Sequence, residues 1–374
     1  MLIAAAFLDE LWTGVPVIEA PAVERAHALA HGGTAITLFV VPMVLGAILE
    51  ARLLLWAERG DHRRWRAAMQ VVTAAGALAA ALATTPWMLA LALGVTGPAA
   101  GVVCSLAQAA LVDASPDARE RAMTRWTLAA ALGDLCAPAC IGVVAWLGGS
   151  WRAALAAVAA LLLVHALVLA RTGARTAQPE DEAQGERASL RGALRNRLLV
   201  TWLAFTTLCA LLDEILVALA MLHLRQDRGA SEAEAAWAAA AWAAGCGVGL
   251  FATDRVLART SARRLLGLGA LGCAIACTTW WLAPTIVLAA LGLFVLGLCT
   301  APLYPIARAR CYAAMPGNAV MVGVATQLFA PLEIGLPWLL GVLADAQGLP
   351  IALVALALGP IGLGALALVG RAWR

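Results

Sequence analysis

The chain has 374 residues, 63% of them hydrophobic and 13% charged, with a net charge of +3 and a mean hydropathy of +0.85. A water-soluble domain of this length cannot hide so much apolar surface, so composition excludes a soluble protein and points to the bilayer. Ala and Leu dominate the apolar stretches without the dyad alternation of an outer-membrane strand, so an all-α integral membrane protein is expected.

In chain order, twelve apolar spans are predicted at about 2–18, 32–56, 67–84, 87–112, 124–147, 151–171, 199–224, 235–257, 265–282, 284–307, 319–344 and 349–370. Each is near the length a helix needs to cross roughly 30 Å of hydrocarbon. The first span has no basic flank before it and is followed by further spans, so it does not read as a cleavable signal peptide. The longest polar stretch, Thr172 to Arg197, contains Pro179-Glu180-Asp181-Glu182. It divides the chain into an N-terminal six-helix half (1–171), a linker (172–198) and a C-terminal six-helix half (199–374).

All 26 basic residues are Arg. Those outside Arg25, Arg152, Arg225 and Arg228 fall after the even-numbered spans or at the C-terminus. The positive-inside rule then places both termini and the linker in the cytoplasm. The nine Cys lie almost wholly within spans and read as small, reduced packing residues.

Acidic residues recur inside the spans at matched spacing. Asp9-Glu10 reappears as Asp213-Glu214, and Glu50 and Asp254 each follow 41 residues later. Asp134, four before Pro138, reappears as Glu333, four before Pro337. A carboxylate at a helix centre costs roughly 2.5–3.5 kcal/mol by insertion scales, so a duplicated set is expected to be used. Asp9 sits nearer its chain end than Asp213 sits to the start of span 7. Either span 1 is short on one side, or the true start lies upstream.

Two six-helix halves joined by a charged loop resemble the major facilitator superfamily over essentially the whole chain. Its turn after span 2 is similar to Ala57-Glu58-Arg59-Gly60-Asp61-His62-Arg63-Arg64, and a second degenerate copy ends span 8 as Thr253-Asp254-Arg255. Span 5 contains Gly133-Asp134-Leu135-Cys136-Ala137-Pro138-Ala139-Cys140-Ile141-Gly142, which resembles the antiporter motif of the family's exporters with two glycines replaced. The resemblance implies alternating access between two pseudo-symmetric bundles. It makes Glu58, Arg59, Arg63, Asp254 and Arg255 gating candidates, joined by Glu50 near its helix end. It also implies export against a proton gradient.

The residues add their own chemistry. No Arg or His is placed at mid-depth, where the nearest cations read as helix-end residues such as Arg52, Arg255 and Arg308; this argues against an anionic substrate. Isolated buried acids tend to hold protons, which suits proton coupling or pairing with a cationic substrate. Successive helix residues point about 100° apart, so one acid of each Asp-Glu pair faces a cavity and the other a neighbouring helix. Asp9, Glu10, Asp134, Asp213, Glu214 and Glu333 are therefore the proton and substrate candidates. Trp12 and Trp338 are added for stacking on a cation, and Tyr304, between Pro302 and Pro305, is expected where span 10 breaks. His27 and His31 have the i, i+4 spacing of metal ligands. Cys136/Cys140 and Cys273/Cys277 share it and read as packing, as do Gly245, Cys246 and Gly249.

No nucleotide-binding motif, phosphate-cradling loop or nucleophile–base constellation is present, so neither an enzyme nor a nucleic-acid binder is expected. The reading is a monomeric secondary transporter in a bacterial inner membrane. It would export a small amphipathic or cationic compound by proton exchange and need no cofactor beyond the proton gradient. A divalent-metal exporter and a lipid or lysolipid flippase are the alternatives.

Overall fold

The computed structural model describes residues 1–19, 23, 26–27, 33–172, 189–356, 358–368 and 373. Its helices are α1 Leu2–Ile18, α2 Gly33–Ala57, α3 His62–Leu82, α4 Pro86–Asp113, α5 Arg119–Trp146 and α6 Trp151–Thr172. The short α7 (Leu190–Arg195) precedes α8 Arg197–Ala210, α9 Glu214–Gln226, α10 Glu232–Val256, α11 Ala262–Trp281 and α12 Ile286–Thr300. Then come α13 Leu303–Ala313, α14 Ala319–Gln327, α15 Ala330–Gln347, α16 Leu349–Leu356 and α17 Leu358–Leu368.

Among the described residues, seven helical stretches are long and apolar enough to cross a membrane, and α14 with α15, bent by 47°, makes an eighth if the pair is one span. The first, second, ninth and twelfth predicted spans are occupied in order by α1, α2, α11 and α16–α17, which is consistent with twelve. Spans 7, 10 and 11 are each two helices rather than one. Large apolar side chains stand outward, including Trp87 (73% exposed), Trp146 (84%) and Trp237 (76%). Such exposure suits lipid and not water.

Helix starts are fixed by short polar side chains that accept from otherwise unpaired backbone N–H groups. Asp61 accepts from Arg63 N and Arg64 N at the head of α3, and Ser261 from Arg264 N at the head of α11. Thr85 and Thr285 cap α4 and α12 in the same way, and Ser231 with Glu234 forms a capping box on α10. The caps of α3 and α4 thus have counterparts on spans 9 and 10, as duplicated halves require.

The chain forms two compact units. The first holds Met1–Ala114, Ala129–Ala193 and Pro316–Leu328. Within it α3 packs on α4 and α6, α1 packs on α4 and α6, and α2 packs on α4. Its core joins Leu8, Leu11, Trp12 and Val15 to Ala77, Ala81, Leu155 and Val158, with Cys136 and Cys140 against it. The second holds Ser115–Leu128, Leu194–Met315 and Phe329–Arg374. Within it α11 packs on α12 and α17, α8 packs on α13 and α17, and α10 packs on α12. Renumbered by span, these five pairings repeat the five of the first unit.

The seam between α10 and α12 is set by missing side chains. A Cβ on Gly245 would strike the Phe294 carbonyl, one on Gly297 the Trp242 carbonyl, and one on Gly249 would meet the Leu298 carbonyl at 2.8 Å. Two backbones meet here because small residues four apart leave nothing between them. Each unit also takes one segment from the opposite sequence half: α14 docks on α2 and α4 in the first, and the start of α5 belongs to the second.

Candidate functional site

In the first unit, α1 turns its two acids to different neighbours. Asp9 is hydrogen-bonded to the Cys104 thiol of α4. Glu10 receives the Thr13 hydroxyl at 3.3 Å, and its Cβ lies 3.1 Å from where a side chain on Gly133 of α5 would begin. Both acids of this pair thus meet neighbouring helices, Asp9 on α4 and Glu10 on α5, where one was expected to face a cavity. Asp134, next to that glycine, lies on an exposed face of α5. Trp12, expected to stack on a ligand, is instead 3% exposed within the apolar core, because its face of α1 packs on α4 and α6.

In the second unit, the acids lie at helix interruptions. Asp213 occupies the break between α8 and α9 with φ −109° and ψ −123°, and Glu214 opens α9. Asp213 is exposed. Glu333 is in the first turn of α15, after the break at Leu328 and Phe329, and accepts a hydrogen bond from Thr207 of α8. Half-helix N-termini carry partial positive charge, so acids at both breaks sit where a broken helix favours them. Trp338 (71% exposed) and Tyr304 (36%) stand at accessible positions.

One expectation is corrected here. Arg308 is no helix-end cation: α13 continues to Ala313, and Arg308 is 4% exposed. Its Nη2 donates to the Tyr312 hydroxyl at 3.4 Å, and its charge acts on Glu333. A buried guanidinium beside an acid removes the argument that the spans hold no cation for an anionic group.

The matched acids Glu50 and Asp254 both join helices of opposite sequence halves, in different ways. Within the second unit, Arg125 grips Asp254 with two bonds, Nε to Oδ1 at 3.0 Å and Nη2 to Oδ2 at 3.3 Å. Arg121 adds Nε to Oδ1 at 3.2 Å and to the Asp254 carbonyl at 3.1 Å. Nearby, Arg310 of α13 pairs with Glu120 of α5 at 3.3 Å. Arg310 also lies 4.6 Å from the Trp373 ring centroid, and that ring meets Trp202 edge-on at 5.3 Å. Within the first unit, Glu50 is 7% exposed and takes neutral donors: Gln327 Nε2 of α14 at 2.7 Å and Ser105 Oγ of α4 at 3.2 Å. Its other oxygen occupies the space a Gly101 side chain would fill.

Arg121, Arg125 and Gln327 carry these contacts and were not singled out by sequence. The two arginines had entered only as topology markers; their i, i+4 spacing at a helix start was the available signal. Of the motif-derived gating candidates, Arg63 donates to the Ala170 carbonyl at 2.5 Å, joining α3 to α6 inside one half. Arg255 lies over its own helix, 3.4 Å from the Phe251 ring centroid. Arg59 is exposed, and Glu58 opens the turn whose Asp61 caps α3. Asp254, by contrast, joins helices of the two sequence halves.

His27 packs edge-on to Trp151 at 6.2 Å; burial first and Arg152 second lower its pKa. His31 lies outside the described residues. Among the described residues no group of three His, Cys, Asp or Glu is placed to hold a metal ion.

A family model described as Major Facilitator Superfamily matches residues 2–212. No curated protein sequence matches the chain. Among solved structures, the fucose:proton symporter of E. coli superposes with a TM-score of 0.80 at 15% identity, covering 98% of this chain and 96% of that one. A structure of the same kind of transporter in the outward conformation gives 0.80 at 14%. A proton:xylose symporter bound to 6-bromo-6-deoxy-D-glucose gives 0.73 at 14%, covering 98% and 94%. At such identities the likeness is one of fold.

Proposed function

The chain belongs to the major facilitator superfamily, and from that premise we propose that it is a multi-pass transporter that exports a small amphipathic or cationic compound in exchange for protons. The observation that carries this is the placement of acids at points of helix discontinuity and close packing. Asp213 and Glu214 lie at the break in span 7, Glu333 follows the break in span 11, and Asp9 and Glu10 flank the α1 contacts with α4 and α5. Broken helices are where transporters of this kind expose backbone and charge to ions and substrate. Asp134 on the open face of α5 completes the set, and Trp338 and Tyr304 supply aromatic surface. Trp12 supports the core instead.

The Arg-rich helix ends are proposed to face the cytoplasm of a bacterial cell, with both termini on that side and the protein acting as a monomer. There Asp254 with Arg121 and Arg125, and Glu50 with Gln327, hold helices of opposite halves together and must part for substrate to enter. Both solved relatives are named as proton symporters, which supports proton coupling. It also favours a second reading, in which proton and substrate travel together.

The test is flux in proteoliposomes with an imposed pH gradient, screening lipophilic cations and neutral amphipaths. Asp134→Asn and Asp213→Asn are each expected to abolish substrate-dependent proton movement. Intact proton flux in both variants refutes the coupling assignment, and the sign of the flux separates exchange from symport.

A further inference from the structure

We propose that the groove between the starts of α10 and α12 binds an amphipathic organic cation, with its ammonium group at Glu234 and its apolar body between Trp237 and Phe294. The proposal rests on the export reading above and deepens it: the compound carries one positive charge, and a site for it lies at the helix ends opposite the Asp254 contacts. Glu234 precedes Asp254 by 20 residues on α10, a rise of about 30 Å.

The groove follows from the glycine seam. On α10, Glu234, Trp237 and Ala241 continue the stripe of Gly245 and Gly249 at spacings of three and four, so all five share one face. On α12, Ala290, Leu291 and Phe294 occupy the turns before Gly297. At the seam the backbones meet, since a Cβ on Gly245 would strike the Phe294 carbonyl. Toward the helix starts the side chains return. There the two helices leave about 360 Å³, lined by Trp237, Leu291 and Phe294, with Ala241 and Ala290 too short to fill it. Small-molecule pockets run from roughly 300 to 1,000 Å³. The groove therefore suits a small amphipath and is short of room for a two-chain lipid.

Charge selects among small amphipaths. Of the residues lining the groove, Glu234 alone is charged. Its Oε2 takes both Ser231 donors, the backbone N–H at 2.8 Å and the hydroxyl at 2.7 Å. Neighbouring charges are engaged with one another or with the backbone. Arg225 pairs with Glu232 at 3.1 Å, His223 with Asp227 at 2.7 Å, and Arg228 donates to the Trp281 carbonyl at 2.8 Å. Glu234 thus presents a carboxylate to an apolar groove with an exposed indole one turn away. An ammonium group is drawn to both, as an ion pair and over the ring face. A phosphate group would meet the carboxylate and no cation among the lining residues.

Calorimetry on the full chain in nanodiscs tests this, with 4-phenylbutylamine and its uncharged counterpart 4-phenylbutanol as probes and the heat of empty nanodiscs subtracted. The native protein is expected to bind the amine at least about threefold more tightly than the alcohol, the effect of an exposed ion pair. Glu234→Gln keeps a side chain that can close the capping box, so helix content by circular dichroism stays native; amine affinity should fall to that of the alcohol, whose own affinity is unchanged. Trp237→Ala should weaken both probes by about threefold or more. Equal affinity of the native protein for amine and alcohol, or amine affinity unchanged in Glu234→Gln, overturns the proposal. So does a phospholipid retained by the native protein and lost from Trp237→Ala in native mass spectra, with amine binding the same in both. If amine binding behaves as expected but no amine drives proton flux in proteoliposomes, the groove stands and the export reading falls. If flux is present and both variants bind the amine as the native protein does, this inference alone falls.

Discussion

Removing the Asp254 carboxylate is the most quantitative perturbation the structure offers. Arg125 holds it through two parallel bonds, the arrangement that makes guanidinium–carboxylate pairs strong. Arg121 adds a second cation. Asp254 is 19% exposed, but the arginine side chains are 36% and 53% exposed. Buried charged hydrogen bonds contribute about 1.5–3 kcal/mol; screening at this exposure reduces each pair to about 0.5–1 kcal/mol. Asp254→Asn should therefore weaken the contact by about 1–2 kcal/mol, a factor of roughly 5–30 in the closed-to-open ratio. Spin labels attached by non-cysteine chemistry at positions 117 and 258 would report this as a longer, broader distance distribution. Raising salt should reproduce part of the effect, since the Debye length falls to about 3 Å at 1 M. The double-mutant cycle with Arg125→Ala is expected to give about 0.5–1 kcal/mol of coupling. A coupling below about 0.3 kcal/mol, or distances insensitive to both salt and mutation, would refute the assignment of this pair as a latch.

Four further outcomes are expected. Gly101→Ala pushes a methyl group into the Glu50 carboxyl, so it should cost about 1–3 kcal/mol of overpacking, seen as a lowered melting temperature in detergent that Glu50→Ala relieves. Gly245→Val forces α10 off the Phe294 carbonyl of α12, and loss of folded protein in size-exclusion chromatography is expected, whereas Gly247→Val, with open space at its Cβ, should be tolerated. Trp373→Ala removes the ring beneath Arg310 and should loosen the Arg310–Glu120 pair, raising exchange at residues 119–121 with little change elsewhere. His27 has a folded pKa below its ordinary value of 6.5, from burial and from Arg152; the unfolded chain then binds more protons, so stability is lost as pH falls through about 6.5. His27→Gln should flatten that acid-side loss of melting temperature.

Most of the architecture was legible because a span's length and apolarity are set by bilayer thickness. The matched spacing of the acids likewise announced two copies, and the two units repeat the same five helix pairings. The break of span 10 was visible in Pro302 and Pro305. The break of span 7 was not: Leu211-Leu212-Asp213 contains neither Pro nor Gly, so nothing local marks where α8 stops. Trp12 was misread as a ligand contact because it is two residues from Glu10. Helix geometry turns it to another face, and only packing on α4 and α6 says which. The partners of Asp254 were hidden for a related reason. Charge placement along a sequence fixes the side of the membrane, while pairing across 129 or 133 residues depends on which helix end folds beside which. Arg308 shows the same limit from the other direction, since a helix that runs one turn further converts a terminal cation into a buried one.

The glycine seam between α10 and α12 has a kinematic consequence. With carbonyl oxygens where side chains would otherwise lie, these two helices have no soft layer to shear and travel as one rigid strut. Bending is left to places where the backbone ladder is already interrupted, at residues 211–213, 301–302 and 328–329. Two of these three joints carry an acid within five residues. Asp213 and Glu333 therefore stand at or beside such joints, where a rocking motion would change their surroundings while the strut keeps its own geometry.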